Sequence, residues 1–449
     1  MRKSFLVCFL AFFSISSIAY AVGSGGYENA TFSAKAIGQA NSVVAQADEP
    51  AAISYNPAGI TQLRGLETQT SLAMINGWTF VDDTQGSSTV SRGTVNLIPL
   101  GYMTLNPGKL LGDRVVFGIG SDSPFGLTKQ YKSNHEIAKY TGYDNWLKMF
   151  TIKPVMAVKV ADWLSVGAGP VYYRIFDYGG EQLYPNKAIL AGLPDGTVNL
   201  KMKGNTWGWQ MGILAIPHKK HRFGFYFRSQ ADMMLKGRAD VNNSSFLGDF
   251  NTGAYLKSTL PMNMTVGYAF KPTDRTTIET DFGFTRWSVY DRSYINADPT
   301  GNAFDDAVLN AIGKTDRDWR NGFSFHLGGN HKFGERWTGM AGFLFYWTPV
   351  PKDHFMPAIP DSNRMAFSLG LGYKICKYLD FDIAYEGLIN LRRHIDNPIS
   401  EPIGGSVDGE YSSYIQDVIF TLTYHWDDLF DRQEKKDDSA DITTVPSLK

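Results

Sequence analysis

The chain has 449 residues, 14% of them aromatic, with 45 glycines, a slightly negative mean hydropathy and a formal charge of −1. That balance leaves no basic face to neutralise phosphates, which excludes a nucleic-acid partner. Aromatic richness without overall apolarity is also unlike a polytopic helical membrane protein, but it fits strands with one face toward lipid and the other toward water.

Residues 1–21 read as a cleaved signal peptide. Arg2 and Lys3 form a basic start, Phe5 to Ile18 a short apolar core, and Ala19-Tyr20-Ala21 a small-x-small site. The apolar run is too short to cross ~30 Å of hydrocarbon as a helix. Cys8 leaves with it, so Cys376 stands alone and no intrachain disulfide forms. No later stretch reaches 18 uninterrupted apolar residues, so a membrane would have to be crossed by strands. Only a closed barrel satisfies every backbone amide in lipid.

Residues 22–64 do not alternate. They are rich in Gly, Ala, Ser, Asn and Gln, with few large apolar side chains, a composition suited to packing inside a polar lumen as a hatch. The barrel is expected over 65–426. Its strands begin at 66–77 and 93–104 and continue through Val115/Phe117/Ile119, Ile152/Met156/Val158 and Leu164/Val166/Ala168. Trp207/Trp209/Met211/Ile213, Phe223/Phe225/Phe227, Met262/Met264/Val266/Tyr268/Phe270 and Ile278/Thr280/Phe282/Phe284 follow, then 317–333 and 336–348. The alternation is cleanest at the end, in Phe367/Leu369/Leu371/Tyr373/Ile375, Leu379/Phe381/Ile383/Tyr385 and Val418/Phe420/Leu422/Tyr424/Trp426. Asp380, Asp382 and Glu386 lie between apolar residues, costly in lipid but cheap in a wet lumen. A 3.6-residue period would scatter these residues, so a helix is ruled out.

These runs make an all-β, fourteen-stranded antiparallel transmembrane barrel. Connections alternate strictly between short (106–112, 161–162, 217–221, 271–273, 334–335, 376–377) and long (78–92, 122–147, 179–196, 240–253, 291–316, 349–362, 391–408). Short periplasmic turns and long external loops place both termini in the periplasm. A soluble β-sandwich has no reason to sort loops by side. Asp427–Lys449 is charged and reads as a disordered periplasmic tail.

The chain resembles the FadL-type outer-membrane transporters of long-chain fatty acids and other hydrophobic compounds. The likeness rests on Tyr55-Asn56-Pro57-Ala58-Gly59, Ser123-Pro124-Phe125-Gly126-Leu127, Gly204-Asn205-Thr206-Trp207-Gly208-Trp209, Phe227-Arg228-Ser229, Thr285-Arg286-Trp287-Ser288 and Ile359-Pro360-Asp361-Ser362-Asn363-Arg364, in that order. Each motif is weak alone, and their order and spacing make the set specific. The acidic tail departs from barrels that stop at an aromatic, so Trp426 stands in that place for the assembly machinery.

The resemblance implies a barrel with an N-terminal hatch, ligand capture outside, and lateral release through a gap beside a kinked strand. An alkyl chain entering periplasmic water loses ~0.8 kcal/mol per CH₂, roughly 12 kcal/mol for fifteen methylenes, which lateral release avoids. The cargo expected is a long-chain fatty acid, with aromatic or alkane hydrocarbons as the variant. The expected surroundings are outer-membrane lipid and lipopolysaccharide, and the expected state is a monomer. Phe125, Leu127, Tyr140 and Trp146, on the long 122–147 stretch, are the candidates for an external apolar groove, against the plainer reading of a packed loop and interfacial belt. Arg174 and Lys314 by likeness of position, and Arg228 and Arg364 from their motifs, are candidates for the carboxylate head group, although lumen-facing basic residues commonly just pair with Asp or Glu. Asn56, Pro57 and Ala58 are expected to shape the junction between hatch and barrel.

An enzyme is disfavoured. The eight histidines show no His-x₃-His or His-Glu-x₂-His pattern, and the chain has no nucleophile elbow or phosphate loop. No cofactor or metal is expected. A structural or adhesive barrel serving as phage or host receptor, and a general diffusion porin, remain as alternatives.

Overall fold

A computed structural model describes residues 26–84, 86–133, 135–184, 195–242, 249–303, 306, 309, 313–397 and 407–426. The expected signal peptide and the acidic tail lie outside the described residues. No described helix is long and apolar enough to cross a membrane.

Fourteen antiparallel strands form the wall. In chain order they are β1 (Leu66–Asp83), β2 (Asn96–Leu105), β3 (Val115–Ser121), β4 (Asp144–Ala161), β5 (Leu164–Tyr184) and β6 (Gly196–His218). Then come β7 (His221–Arg228 and Ala231–Asn242), β8 (Phe250–Leu260 and Asn263–Thr273), β9 (Thr276–Thr285 and Arg292–Ala297) and β10 (Lys314–Asp316 and Gly322–Phe333). Last are β11 (Trp337–Trp347), β12 (Arg364–Cys376), β13 (Leu379–Ile395) and β14 (Gly409–His425). β14 pairs with β1 from Glu67↔His425 to Asp83↔Gly409, which closes the barrel. Trp426 continues that seam, donating its N–H to the Leu66 carbonyl and its indole N–H to Thr68.

The period of two sorts side chains as expected. On β12, Phe367, Leu369 and Leu371 are 54%, 67% and 45% exposed, while inward Ser368 is buried and donates to buried Glu386 at 2.7 Å. An exposed ladder of this kind is stable only against hydrocarbon. Several strands run further toward the external side than the alternation suggested; β6 starts at Gly196 and β1 continues to Asp83. Polar residues cap those extensions, so the hydrophobic signal fades before the ladder ends.

Two strands depart from the expected pattern in ways that shape the interior. The tenth was expected to run unbroken from 317, but the ladder breaks between Asp316 and Gly322, where Asp318 takes a left-handed φ of 44°. The third stops at Ser121. Pro124 has no N–H to give a ladder, and residues 122–126 turn inward instead. β2 therefore pairs with β3 only from Gly101↔Ser121 to Leu105↔Phe117, and contact resumes where the Arg92 N–H reaches the Gln130 carbonyl at 2.8 Å. Between these closures, among the described residues, 93–100 and 122–129 share no backbone hydrogen bond. The wall has a gap.

Residues 27–63 are buried almost throughout and contact inward side chains around the barrel. A short helix, Ala34–Gly38, is capped by Ser33, and two 3₁₀ turns, Pro50–Ser54 and Pro57–Gln62, each begin with a proline whose missing N–H costs nothing there. Glu279 and Asp281 of β9 accept four consecutive backbone N–H groups: Val43 and Val44 on Asp281 at 3.0 and 3.1 Å, Ala45 and Gln46 on Glu279 at 2.5 and 2.9 Å. Across the barrel, Gln69 of β1 bonds Glu49 at 2.6 Å and Thr421 of β14 accepts the Ala34 N–H at 2.8 Å.

Close approach of this segment depends on small residues in the wall. A Cβ on Gly224 would stand 2.2 Å from the Val44 carbonyl oxygen, a rigid backbone atom. Gly224→Val is therefore expected to leave the barrel folded but to unseat residues 40–47. Cleavage by trypsin after Lys35 in the variant, with the wild type resistant, is the measurement; equal resistance would contradict the expectation.

Candidate functional site

Where residues 122–126 turn inward they meet the first described residues of the chain. Asn29 donates its N–H to the Pro124 carbonyl at 2.8 Å and Gly126 donates to the Tyr27 carbonyl at 2.9 Å, so Tyr27–Asn29 pairs with 122–126 along the edge that β2 does not cover. Asp122 holds the bend: its carbonyl accepts from the Thr151 N–H at 2.8 Å, and its carboxylate pairs with Lys153 at 2.5 Å, both side chains buried. Lys153 also reaches Ser54, linking the bend to the N-terminal segment.

Tyr27 and Phe125 pack with Trp287, Tyr290 and Trp319, ring centroids 4.8–6.3 Å apart, all buried. Trp287 and Tyr290 come from the break in β9, Trp319 from the break in β10. The interrupted strands thus supply a partition of aromatic rings across the interior.

A cavity of about 130 Å³ is walled in part by Val198, Leu200, Ile295 and Leu309, in part by the polar Glu181, Gln182 and Ser293, and is lined also by Tyr178 and Arg317. Alternation through Asp316-Arg317-Asp318-Trp319 turns Arg317 inward and the two carboxylates outward, where Asp316 accepts from Tyr294 and Asp318 pairs with His354. Arg317 is 9% exposed and lies 5.8 Å over the Tyr290 ring; one guanidinium N–H contacts the Met356 sulfur, and its Nε has no partner. Among the described residues no carboxylate pairs with it. A buried guanidinium without a counter-charge is costly, and a cavity beside it is where an anion would fit.

A second cavity, of about 110 Å³, is lined by Glu28, Asn29, Thr31, His326, Glu386 and Asp417, and by Arg228 and Arg364. Both arginines are already paired, Arg228 with Glu28 at 2.7 Å and Arg364 with Asp361 at 2.5 Å. A ligand carboxylate would have to displace a buried partner, so neither is a free head-group site.

The remaining expected residues are dispersed. Arg174 shares the outer face with Tyr172 and bonds Asn205 at 3.3 Å, while its neighbours Tyr173 and Ile175 take the buried inner positions. Lys314 is exposed on the external hairpin. Neither reaches the interior. The external groove is not assembled either. Phe125 is fully buried in the aromatic partition, with Arg228 over its ring at 4.8 Å, and Leu127 packs beside it. Tyr140 is buried and donates to Asp195 at 2.8 Å, and half-buried Trp146 donates to Asp177 at 2.7 Å. Apolar side chains on a long loop gain more by folding into the barrel mouth than by lining a wet groove. Asn56 caps the turn that Pro57 and Ala58 begin, and its amide reaches the Val44 and Ile213 carbonyls at 2.7 and 3.0 Å. These residues fasten the segment to β6 rather than to the start of β1. Arg317 was missed because a basic residue between two aspartates reads as a solvated turn.

Residues 15–427 match the family model described as outer membrane protein transport protein (OMPP1/FadL/TodX). The chain is 25% identical over 416 residues to a long-chain fatty acid transport protein of Escherichia coli, spanning 83% of this chain and 90% of that protein. It is 22% identical over 426 residues to outer membrane protein P1 of Haemophilus influenzae, spanning 85% and 90%. Among solved structures, a Pseudomonas aeruginosa FadL homologue superposes with a TM-score of 0.77 at 19% identity, covering 89% of this chain and 99% of that one. The Pseudomonas putida toluene transporter TodX gives 0.66 at 15% identity, covering 84% and 94%. The protein is thus an outer-membrane β-barrel transporter of hydrophobic compounds, and it belongs to the OMPP1/FadL/TodX family.

Proposed function

We propose that the cargo is a long-chain fatty acid, bound with its carboxylate on Arg317 and released sideways through the gap beside β3. The observation that carries this is a buried arginine with no carboxylate partner among the described residues, at the wall of a cavity whose lining is part polar and part apolar. The pair it would form with a fatty acid contributes about 1.5–3 kcal/mol, roughly 10- to 150-fold in affinity. The alkyl chain gains by covering Leu200, Ile295 and Leu309.

Residues 27–63 act in this reading as a hatch. Their contacts with β1, β4, β6, β9 and β14 support a closed bore, so cargo has no straight route to the periplasm. The gap between 93–100 and 122–129 supplies the route into the bilayer, and the Tyr27–Phe125 partition stands between it and the Arg317 cavity. Displacement of Tyr27–Asn29 by cargo would open the way. Capture from outside falls to the external loops as a whole, since the four expected groove residues are folded inward.

A monoaromatic cargo is the second reading, favoured by the ring partition itself. It would leave Arg317 without a counter-charge, which ranks it below.

The test is uptake by a strain lacking its own fatty-acid transporter. Wild-type protein should restore growth on oleate, and Arg317→Met should lower oleate uptake about tenfold or more, the worth of one charge-assisted pair. Uptake of oleyl alcohol, the neutral counterpart, should stay unchanged. Accumulation of toluene with no growth on oleate would transfer the cargo to the aromatic class.

A further inference from the structure

We infer that Lys129 is a second station for the cargo's carboxylate, at the edge of the gap in the wall, holding the head group while the alkyl chain turns out into the bilayer. This rests on the fatty-acid reading above. Lys129 belongs to the short strand Leu127–Gln130, paired in register with Asn145 of β4. Its neighbour Gln130 accepts the Arg92 N–H that closes the gap, so Lys129 is the last residue along the open edge.

The side chain is 5% exposed, and its ammonium donates to Thr79 Oγ1 at 2.8 Å. Among the described residues no carboxylate pairs with it. Arg317 aside, the other deeply buried cations differ: Lys153 has Asp122, Arg228 has Glu28 and Arg364 has Asp361. Those are structural ion pairs. A buried ammonium with three donors and one neutral acceptor is under-satisfied, and the missing partner is an anion. Lys129 also lines a cavity of about 30 Å³ with Gly26, Asn390 and Ser413 and with the Arg364–Asp361 ion pair, whose carboxylate Arg364 already neutralises, room for a small polar group rather than a chain.

Gly26 links the two cation sites. It borders the Lys129 cavity, and a Cβ on it would stand 2.5 Å from the Trp319 ring, one of the rings of the partition. Arg317 lies over Tyr290 in that same partition. A carboxylate crossing the interior would otherwise sit unpaired in a low-dielectric space; two cations, one beside the Tyr290 ring and one on the cavity that Gly26 borders, let it pass from one to the other. A neutral cargo gains nothing from either.

The experiment compares Lys129→Met and Lys129→Arg with Arg317→Met in the full-length protein, after circular dichroism has verified a folded barrel. For Lys129→Met, oleate uptake should fall about tenfold, the worth of one charged hydrogen bond. Oleyl alcohol uptake and equilibrium oleate binding to the detergent-purified protein should not change, and Lys129→Arg should recover most of the oleate uptake. Unchanged oleate uptake in Lys129→Met, where Arg317→Met lowers it, overturns the inference. Equal loss of oleate and oleyl alcohol uptake overturns it too, since that marks a structural tether to Thr79. No effect from Arg317→Met instead overturns the fatty-acid reading, and that arm detects it separately.

Discussion

Replacing Glu279 and Asp281 together with alanine is expected to turn a closed barrel into a conducting pore. These carboxylates accept four consecutive N–H groups, from Val43 to Gln46, and among the described residues no Lys or Arg pairs with either. A buried N–H left without an acceptor costs about 1–3 kcal/mol. Four together approach the ~5–15 kcal/mol that holds a whole domain, so residues 42–47 should leave their seat. The wall should survive, because both positions face inward and the β9 ladders to β8 and β10 are backbone bonds. Planar-bilayer recordings should show steady conductance for the double alanine variant and none for the wild type. Glu279→Gln with Asp281→Asn keeps an acceptor oxygen at each place and should stay mostly closed. A silent double alanine variant would mean that Asn56 and Glu49 hold the segment unaided.

The second large effect is expected at the bend after β3. Lys153→Met strands the Asp122 carboxylate in a site where both side chains are 1% exposed. Breaking a buried pair from one side costs about 3–5 kcal/mol. Adding Asp122→Asn should recover much of that, because an amide tolerates burial and still reaches the Thr151 hydroxyl. Urea unfolding in liposomes is the measurement, with the midpoint falling in the single variant and returning in the double. Additive losses would mean that the two groups do not depend on each other.

The sequence misplaced particular residues for physical reasons. Arg174 sits in Val171-Tyr172-Tyr173-Arg174-Ile175, where both faces carry large side chains, so alternation alone does not say which one is wet; the register turns Val171, Tyr173 and Ile175 inward. Phe125 was read as exposed because it lies in a long connection. Nothing local announces that residues almost a hundred positions earlier will cover it, as Tyr27–Asn29 do. Asp316-Arg317-Asp318 has the look of a hydrated turn, and only the break in β10 sends the middle residue into a cavity. Arg228 and Arg364 are buried, and the carboxylates that occupy them come from 200 residues away in one case and three in the other.

By itself the sequence determined the wall: the number of strands, which side chains meet lipid wherever only one face is apolar, and which connections are short. Those follow from a period of two that the pleat imposes on each strand separately, so they need no knowledge of its neighbours. The tertiary structure alone decided where the wall parts and which cations lack a partner. Both are set by contacts between distant segments, the chain's beginning against the bend after β3, and the breaks of β9 and β10 against each other, and pairing at a distance leaves no trace in local alternation.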